Sequence, residues 1–231
     1  MYKTQTVTLV LPCYNEARGL EAMLPRVPEI VDEIIVVDNA SDDGSAAVAA
    51  SLGARVVAES RRGYGAAYKA GFSAANTDII ITMDADDTYP LEAITSLVTR
   101  LVDDNYDFIT VRRMVTNWEH TFMLALKFFG KKILDYTMSL LFLRLIHDSQ
   151  SGMWVFRRDI LRQIRLESDG MSFSEEIKAE AMGHRQIRSI ELPVKYAYRK
   201  RLGVCKLSTF RDGFANLFFL FKKRVKLFSS K

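Results

Sequence analysis

The 231-residue chain is 48% hydrophobic, carries a formal charge of +4 and has two cysteines. That composition supports one sizeable buried core and excludes a mainly disordered chain; Cys13 and Cys205 lack partners at metal or redox spacing, which excludes a disulfide framework and points to a reducing, cytosolic setting. The charge is unevenly placed: residues 195–231 hold eleven Lys or Arg against Asp212 alone, +10, leaving −6 for the rest, so the basic end calls for an anionic partner. Phosphate-bearing ligands and lipid surfaces both fit. Nucleic acid fits less well, because the same segment carries an almost unbroken apolar run at 214–221.

Residues 1–5 are polar and lead straight into an apolar run without the pattern of a signal peptide, so a cytoplasmic location is expected. The run at 6–11 predicts a strand ending at Pro12, 16–27 a helix, and 33–37 a buried strand closed by Asp38. A helix over 42–52, a strand over 55–58, a helix over 65–75 and a strand over 78–83 follow. Strands alternating with helices in this way predict an open, mostly parallel α/β sheet, in which ligands bind beyond the carboxyl ends of the strands. Polar clusters fall at those ends: 13–16, 38–42 and 84–87.

The second half has a different texture. Residues 107–111 predict a strand ending at Arg112 and Arg113. Residues 121–146 are strongly apolar, yet Lys127, Lys131, Asp135 and Ser139 recur every four residues and predict one polar helical stripe. No uncharged stretch there reaches the roughly 18–20 residues of a bilayer span; one or two amphipathic helices, on a membrane or packed on the domain, are expected. Strands over 150–156 and 187–192 and a helix over 175–182 complete the pattern.

Asp84 and Asp86, one residue apart at a strand end, suit a hard divalent cation bridging two phosphates. An acidic turn capping a helix that starts near Pro90 is the competing reading. Asp38 emerges where a base or ribose would sit, Tyr14 offers a face for stacking, and Ser41 and Asp42 suit helix capping. Gly63 and Gly65, behind Arg61 and Arg62, allow backbone to approach a phosphate. The loop from Arg201 to Lys206 is basic and placed to meet a diphosphate, or is a solvated basic loop.

In order along the chain, LPCYNE at 11–16, VVDNASDDGS at 36–45, GYGA at 63–66 with Gly71, and MDAD at 83–86 with Pro90 resemble glycosyltransferase family 2. DSQSGM at 148–153, FSEE at 173–176 and residues 198–207 resemble its dolichyl-phosphate mannose synthase and polyprenyl-phosphate glycosyltransferase branch. The resemblance implies an α/β GT-A fold with a mostly parallel sheet, a catalytic domain over 1–210 whose residues 118–147 form amphipathic interface helices, and a basic-apolar segment over 211–231. It implies a nucleotide-sugar donor, Mg²⁺ or Mn²⁺, inversion at the anomeric carbon, a polyprenyl phosphate acceptor and attachment to the cytoplasmic face of a membrane.

Carried over position by position, Pro12, Tyr14, Glu16, Asp38 and Gly63 would hold the nucleotide, with Asp84 and Asp86 on metal and diphosphate. Arg201 and Lys206 would meet the donor phosphates. Arg112 or Arg113, with Lys127 or Lys131, would meet the acceptor phosphate. A phosphate acceptor needs no general base; a sugar hydroxyl does, and Asp148 or Glu176 would then serve. The sequence departs from the family pattern at Asn39, Thr88 and Cys205. A non-catalytic nucleotide-sugar-binding subunit is the rival of another class.

Overall fold

The computed structural model describes residues 1–115, 122–196 and 209–229. Strands β1 (Val7–Cys13), β2 (Glu33–Asp38), β3 (Arg55–Ala58) and β4 (Ile79–Thr82) alternate with helices α1 (Ala17–Met23), α2 (Ser45–Ser51) and α3 (Tyr64–Ala74). Helix α4 (Ala93–Asp103), strand β5 (Phe108–Val115), helix α5 (Phe122–Phe142), strand β6 (Trp154–Arg157), helix α6 (Phe173–Gly183), strand β7 (Ser189–Tyr196) and helix α7 (Thr209–Ser229) follow. The seven strands form one sheet in the order β3-β2-β1-β4-β6-β5-β7. Neighbours pair in parallel except β6, which runs antiparallel to both β4 and β5.

The central strands are apolar on both sides because helices cover both sides. Along β1, Val7, Leu9, Leu11 and Cys13 enter one core with α1 and α4, whereas Val10 enters the other with α3 and α6. Helix α4 buries Ile94, Leu97, Val98 and Leu101, the i, i+3, i+4, i+7 stripe of a half-buried helix. It starts three residues beyond Pro90. On the opposite side Tyr68 stacks on Phe173 with ring centres 5.8 Å apart and lies 5.1 Å from Trp154, locking α3 to α6 and β6.

Helix α3 begins under an unusual constraint. Its first amides, Gly65 N and Ala66 N, donate to the Asp169 carbonyl at 2.9 and 3.1 Å. A Cβ on Gly63 would lie 2.2 Å from that oxygen, and one on Gly65 would lie 2.3 Å from the Ser168 carbonyl. The small residues predicted to admit a phosphate therefore admit another segment of the chain, whose carbonyl satisfies the helix-start donors. Gly63, expected at the nucleotide, here gives room to the Asp169 carbonyl.

Helix α5 reverses the usual amphipathic arrangement. Its polar residues Lys131, Asp135 and Ser139 turn inward, onto residues 146–149, while Leu134, Met138 and Phe142 are buried. Phe129, Ile133, Tyr136 and Leu140 form an exposed stripe at i, i+4, i+7 and i+11, continued by Leu143 and Leu145. Helix α7 packs against α5 and α6 and exposes Phe218, Phe221 and Val225. Among the described residues no helix is long and apolar enough to cross a membrane.

Buried charge holds α7 in place. Lys223 is 4% exposed and lies 2.9 Å from Glu176 and 2.6 Å from Glu180, both on α6, while donating to the Arg165 carbonyl. The basic end thus contributes part of its charge to the interior, in addition to the exposed Lys222 and Lys226. Replacing Lys223 by Met leaves two buried carboxylates facing an apolar side chain, and should lower the unfolding free energy by about 3–5 kcal/mol in a urea titration; an unchanged urea midpoint would show that the pairs hold nothing.

Candidate active site

The carboxyl ends of β1, β2, β4, β5 and β7 lie at one end of the sheet, and the reversed β6 brings its leading segment, residues 148–153, to the same end. The strand order turns outward from β1 and β4, the kind of switch point at which open α/β sheets bind ligands.

On the β1 and β2 side the two loops are knitted together. Asn15 donates to the Asp42 carboxylate at 2.6 Å and accepts from the Asp42 backbone at 2.8 Å. Ser41 Oγ accepts from Asn15 N, and Ser45 Oγ accepts from Glu16 N, both at 3.0 Å. Ser41 and Asp42, expected as caps of the following helix, instead brace the loop after β1, while Asp43 accepts from Ser45 N and from Ala17 N. Asp38, at the end of β2, accepts from Ser41 N at 3.2 Å. Pro12 is the penultimate β1 residue and Glu16 is buried at the start of α1. The Arg62 guanidinium lies 4.1 Å above the Tyr14 ring. Asn39 anchors the opposite wall by donating to the Glu59 and Arg61 carbonyls and accepting from Gly63 N, each at 2.8 Å. The amide does here what a carboxylate cannot, donating and accepting at once.

On the β4 side the chain turns sharply. Asp86 is 4% exposed and accepts from Thr88 N at 3.1 Å and from Thr88 Oγ1 at 2.6 Å, a closed aspartate turn. Asp87 pairs with Arg26. Asp84 is half-buried, and its Oδ1 accepts from the Tyr64 hydroxyl at 2.8 Å. Gly152 sits against both: a Cβ there would lie 2.3 Å from the Tyr64 hydroxyl and 3.1 Å from Asp84 Oδ1. Tyr89 accepts from Gly152 N at 2.8 Å, and Tyr68 donates to the Gly152 carbonyl at 3.3 Å. Three tyrosines thus surround the meeting of 84–86 with 148–153.

The far end of that segment enters a cluster of buried charges. Arg113 grips Asp148 with two nitrogens, at 2.8 and 2.9 Å, and lies 5.6 Å from the Tyr196 ring centre. Lys131 lies 3.2 Å from Asp148 and 2.9 Å from Asp135. Lys178, fully buried on α6, donates to the carbonyls of Asp148 and Ser149 at 2.8 Å. Asp135 accepts from Ser149 N and Oγ, and Glu191 accepts from the amides of His147 and Asp148. Burial would raise the Asp148 carboxyl, but the Arg113 guanidinium, with Lys131 and Lys178, outweighs it and holds the group far below the usual carboxylate range.

A carboxyl held in this way is a poor proton acceptor, and Asp148 is 1% exposed. Glu176, the other base suggested by the sequence, is fully buried and takes Lys223 on one oxygen and the amides of Glu167 and Ser168 on the other. Of the two strand-end arginines, Arg113 faces the Asp148 cluster, and its neighbour Arg112 is directed to the other face of β5. Arg201 and Lys206 lie outside the described residues, as does the side chain of Lys127. Tyr64, Tyr89, Lys178 and Glu191 carry no site signal in the sequence: Tyr64 stands out only by its flanking glycines, and Glu191 is a lone acid within a strand.

Residues 8–165 match the family described as glycosyl transferase family 2. The dolichyl-phosphate hexose transferase of Haloferax volcanii is 32% identical over 218 residues, covering 93% of this chain and 92% of that protein. The polyprenol monophosphomannose synthase of Mycolicibacterium smegmatis is 29% identical over 89% of this chain and 82% of its own length. Among solved structures, glucosyl-3-phosphoglycerate synthase of Mycobacterium tuberculosis, crystallised with Mn²⁺, uridine diphosphate and glucosyl-3-phosphoglycerate, matches with a TM-score of 0.75 over 96% of this chain and 80% of that one, at 18% identity. That likeness establishes the GT-A fold, and the sequence matches establish the lineage: the chain belongs to glycosyltransferase family 2.

Proposed function

We propose that the protein is a metal-dependent, inverting hexosyltransferase that moves a sugar from a nucleotide-diphosphate donor to a polyprenyl phosphate at the cytoplasmic face of a membrane. The observation that carries the choice of acceptor is the state of Asp148 and Glu176. Both are buried and committed to cations, so neither suits deprotonation of a hydroxyl, whereas a phosphate is already anionic near neutral pH and needs no base. The names of the two sequence relatives, both polyprenyl-type sugar transferases, support the same reading.

The donor would lie across β1, β2 and β4, its nucleoside among Pro12, Tyr14, Glu16 and Asp38. Asp84 and Asp86 fit a divalent cation by chemistry, as two hard carboxylates at a strand end. When bound, Mg²⁺ or Mn²⁺ supplies charge neutralisation to the departing diphosphate. Arg201 and Lys206 would add to it. Arg113 and Lys131 would present positive charge to the acceptor phosphate, with Lys127 as a further candidate, and hold its oxygen in line with the anomeric carbon, so that attack from the opposite face inverts the configuration.

The arrangement of α5 and α7 supports the membrane part of this reading. Phe129, Ile133, Tyr136 and Leu140 on α5, Leu143 just beyond it, and Phe218, Phe221 and Val225 on α7 are exposed and apolar, and the exposed Lys222 stands beside them for anionic headgroups.

A panel of UDP- and GDP-sugars offered with a short polyprenyl phosphate and Mn²⁺, with mass measurement of the lipid, should reveal one hexosyl-lipid phosphate. Asp86→Ala should reduce its formation by about 10²-fold or more. Sugar found only on water-soluble acceptors would sink the lipid assignment, and Asp86→Ala turning over like the parent would sink the metal role. Separately, the double variant Leu140→Asp, Leu143→Asp should co-sediment with phosphatidylglycerol-containing vesicles at least about tenfold more weakly, because each leucine loses roughly 1.5–3 kcal/mol of apolar burial. Undiminished co-sedimentation would place the membrane contact elsewhere.

A further inference from the structure

The phenol of Tyr64 is half-buried, and its hydroxyl is 2.8 Å from Asp84 Oδ1 and 3.4 Å from the Tyr68 hydroxyl. It stands at the first residue of α3, the helix whose start is tied to the Asp169 carbonyl and whose next turn carries Tyr68, the ring of which lies edge-on to the Tyr64 ring with centres 4.8 Å apart. The hydroxyl is therefore fixed by a rigid element rather than by Asp84 itself. It is pressed from the other side by Gly152, where even a methyl group would overlap it.

We infer that Tyr64 is a positioning residue for metal binding: its hydroxyl occupies one oxygen of Asp84 and sets the direction in which that carboxylate addresses the cation and the donor diphosphate. The inference rests on the proposed role of Asp84 and Asp86 and extends it to a side chain that acts through Asp84. A bare carboxylate at a strand end rotates and binds a cation with one or both oxygens; a carboxylate that already accepts a hydrogen bond from a phenol held by its helix is restricted in both respects. Hydrogen-bond partners of this kind commonly tune metal affinity by 10–100-fold. Gly152 makes the arrangement sensitive to the acceptor side, since the segment that ends at Gly152 begins at Asp148, within the Arg113 and Lys131 cluster.

The test uses the full chain and Mn²⁺ itself as probe, with free Mn²⁺ counted by electron paramagnetic resonance in the presence of UDP or GDP. Tyr64→Phe keeps the ring and its packing on Tyr68 and removes only the hydroxyl. The expected result is a Mn²⁺ dissociation constant raised about tenfold, with nucleotide affinity in the absence of metal unchanged, a split that general loosening of the site would not produce. Gly152→Ala, which displaces the same hydroxyl from behind, should weaken Mn²⁺ in the same way and serves if Tyr64→Phe fails to fold. If Asp86→Ala abolishes Mn²⁺ binding while Tyr64→Phe matches the parent, the Tyr64 inference alone is overturned. If Asp86→Ala binds Mn²⁺ like the parent, the metal reading falls and takes the inference with it.

Discussion

The segment from His147 to Gly152 is held by charges that are mostly buried, and the rest of the site is arranged around it. Asp148, Asp135, Lys178 and Glu191 are each nearly or fully buried, and each spends its charge on a neighbour or on the backbone of this segment. Taking such ions out of water costs several kcal/mol apiece, and only near-complete pairing offsets it. Here pairing is dense: two guanidinium nitrogens on Asp148, two carbonyls on Lys178, two amides on Glu191. The consequence is a backbone with one position, as a packed apolar loop of the same length would not guarantee.

That fixed segment connects two halves of different architecture. The half built from β1, β2, β3 and β4 is parallel, and its loops interlock through Asn15, Ser41, Asp42 and Asn39. The other half is assembled around β6, whose reversal is what delivers residues 148–153 to the carboxyl ends of the parallel strands. Had β6 run parallel, that segment would open at the opposite end of the sheet and Gly152 would not reach Asp84. The tyrosines at 64, 68 and 89 fill the seam, each contributing a hydroxyl to Asp84 or to the backbone of Gly152 and a ring to the apolar interior beneath.

How much of this was legible in the sequence depends on the range of the interaction. Apolar runs ending in Asp38 and Asp84 announce buried strands and place their polar clusters correctly, because a strand's burial is written in its own residues. The direction of β6 is not: its sequence reads the same in either orientation, and what decides it is pairing with β4 and β5, dozens of residues away. Gly63 and Gly65 were visible as small residues, but the carbonyls they accommodate belong to Ser168 and Asp169, about a hundred positions on. Lys178 is the hardest case, since a lysine on a helix ordinarily indicates the solvent side.

Helix α5 shows the same limit in another form, and joins the site to its surroundings. Four-residue spacing finds the polar stripe of Lys131, Asp135 and Ser139 correctly, yet periodicity separates two faces of a helix without saying which one turns inward. The charged stripe turns inward because residues 146–149 supply the partners; Leu134, Met138 and Phe142 turn inward beside it, and Phe129, Ile133, Tyr136 and Leu140 stay outside. On the proposed function these two faces act together. A helix is roughly 10–12 Å across with its side chains, so lipid against Phe129, Tyr136 and Leu140 stands about one helix diameter from Lys131 and the Arg113–Asp148 pair. A phosphate at the head of a membrane-held polyprenyl chain lies within that span without leaving its lipid. This arrangement of α5 then explains together why buried charge is tolerated on one side of the helix and why an apolar stripe is left uncovered on the other.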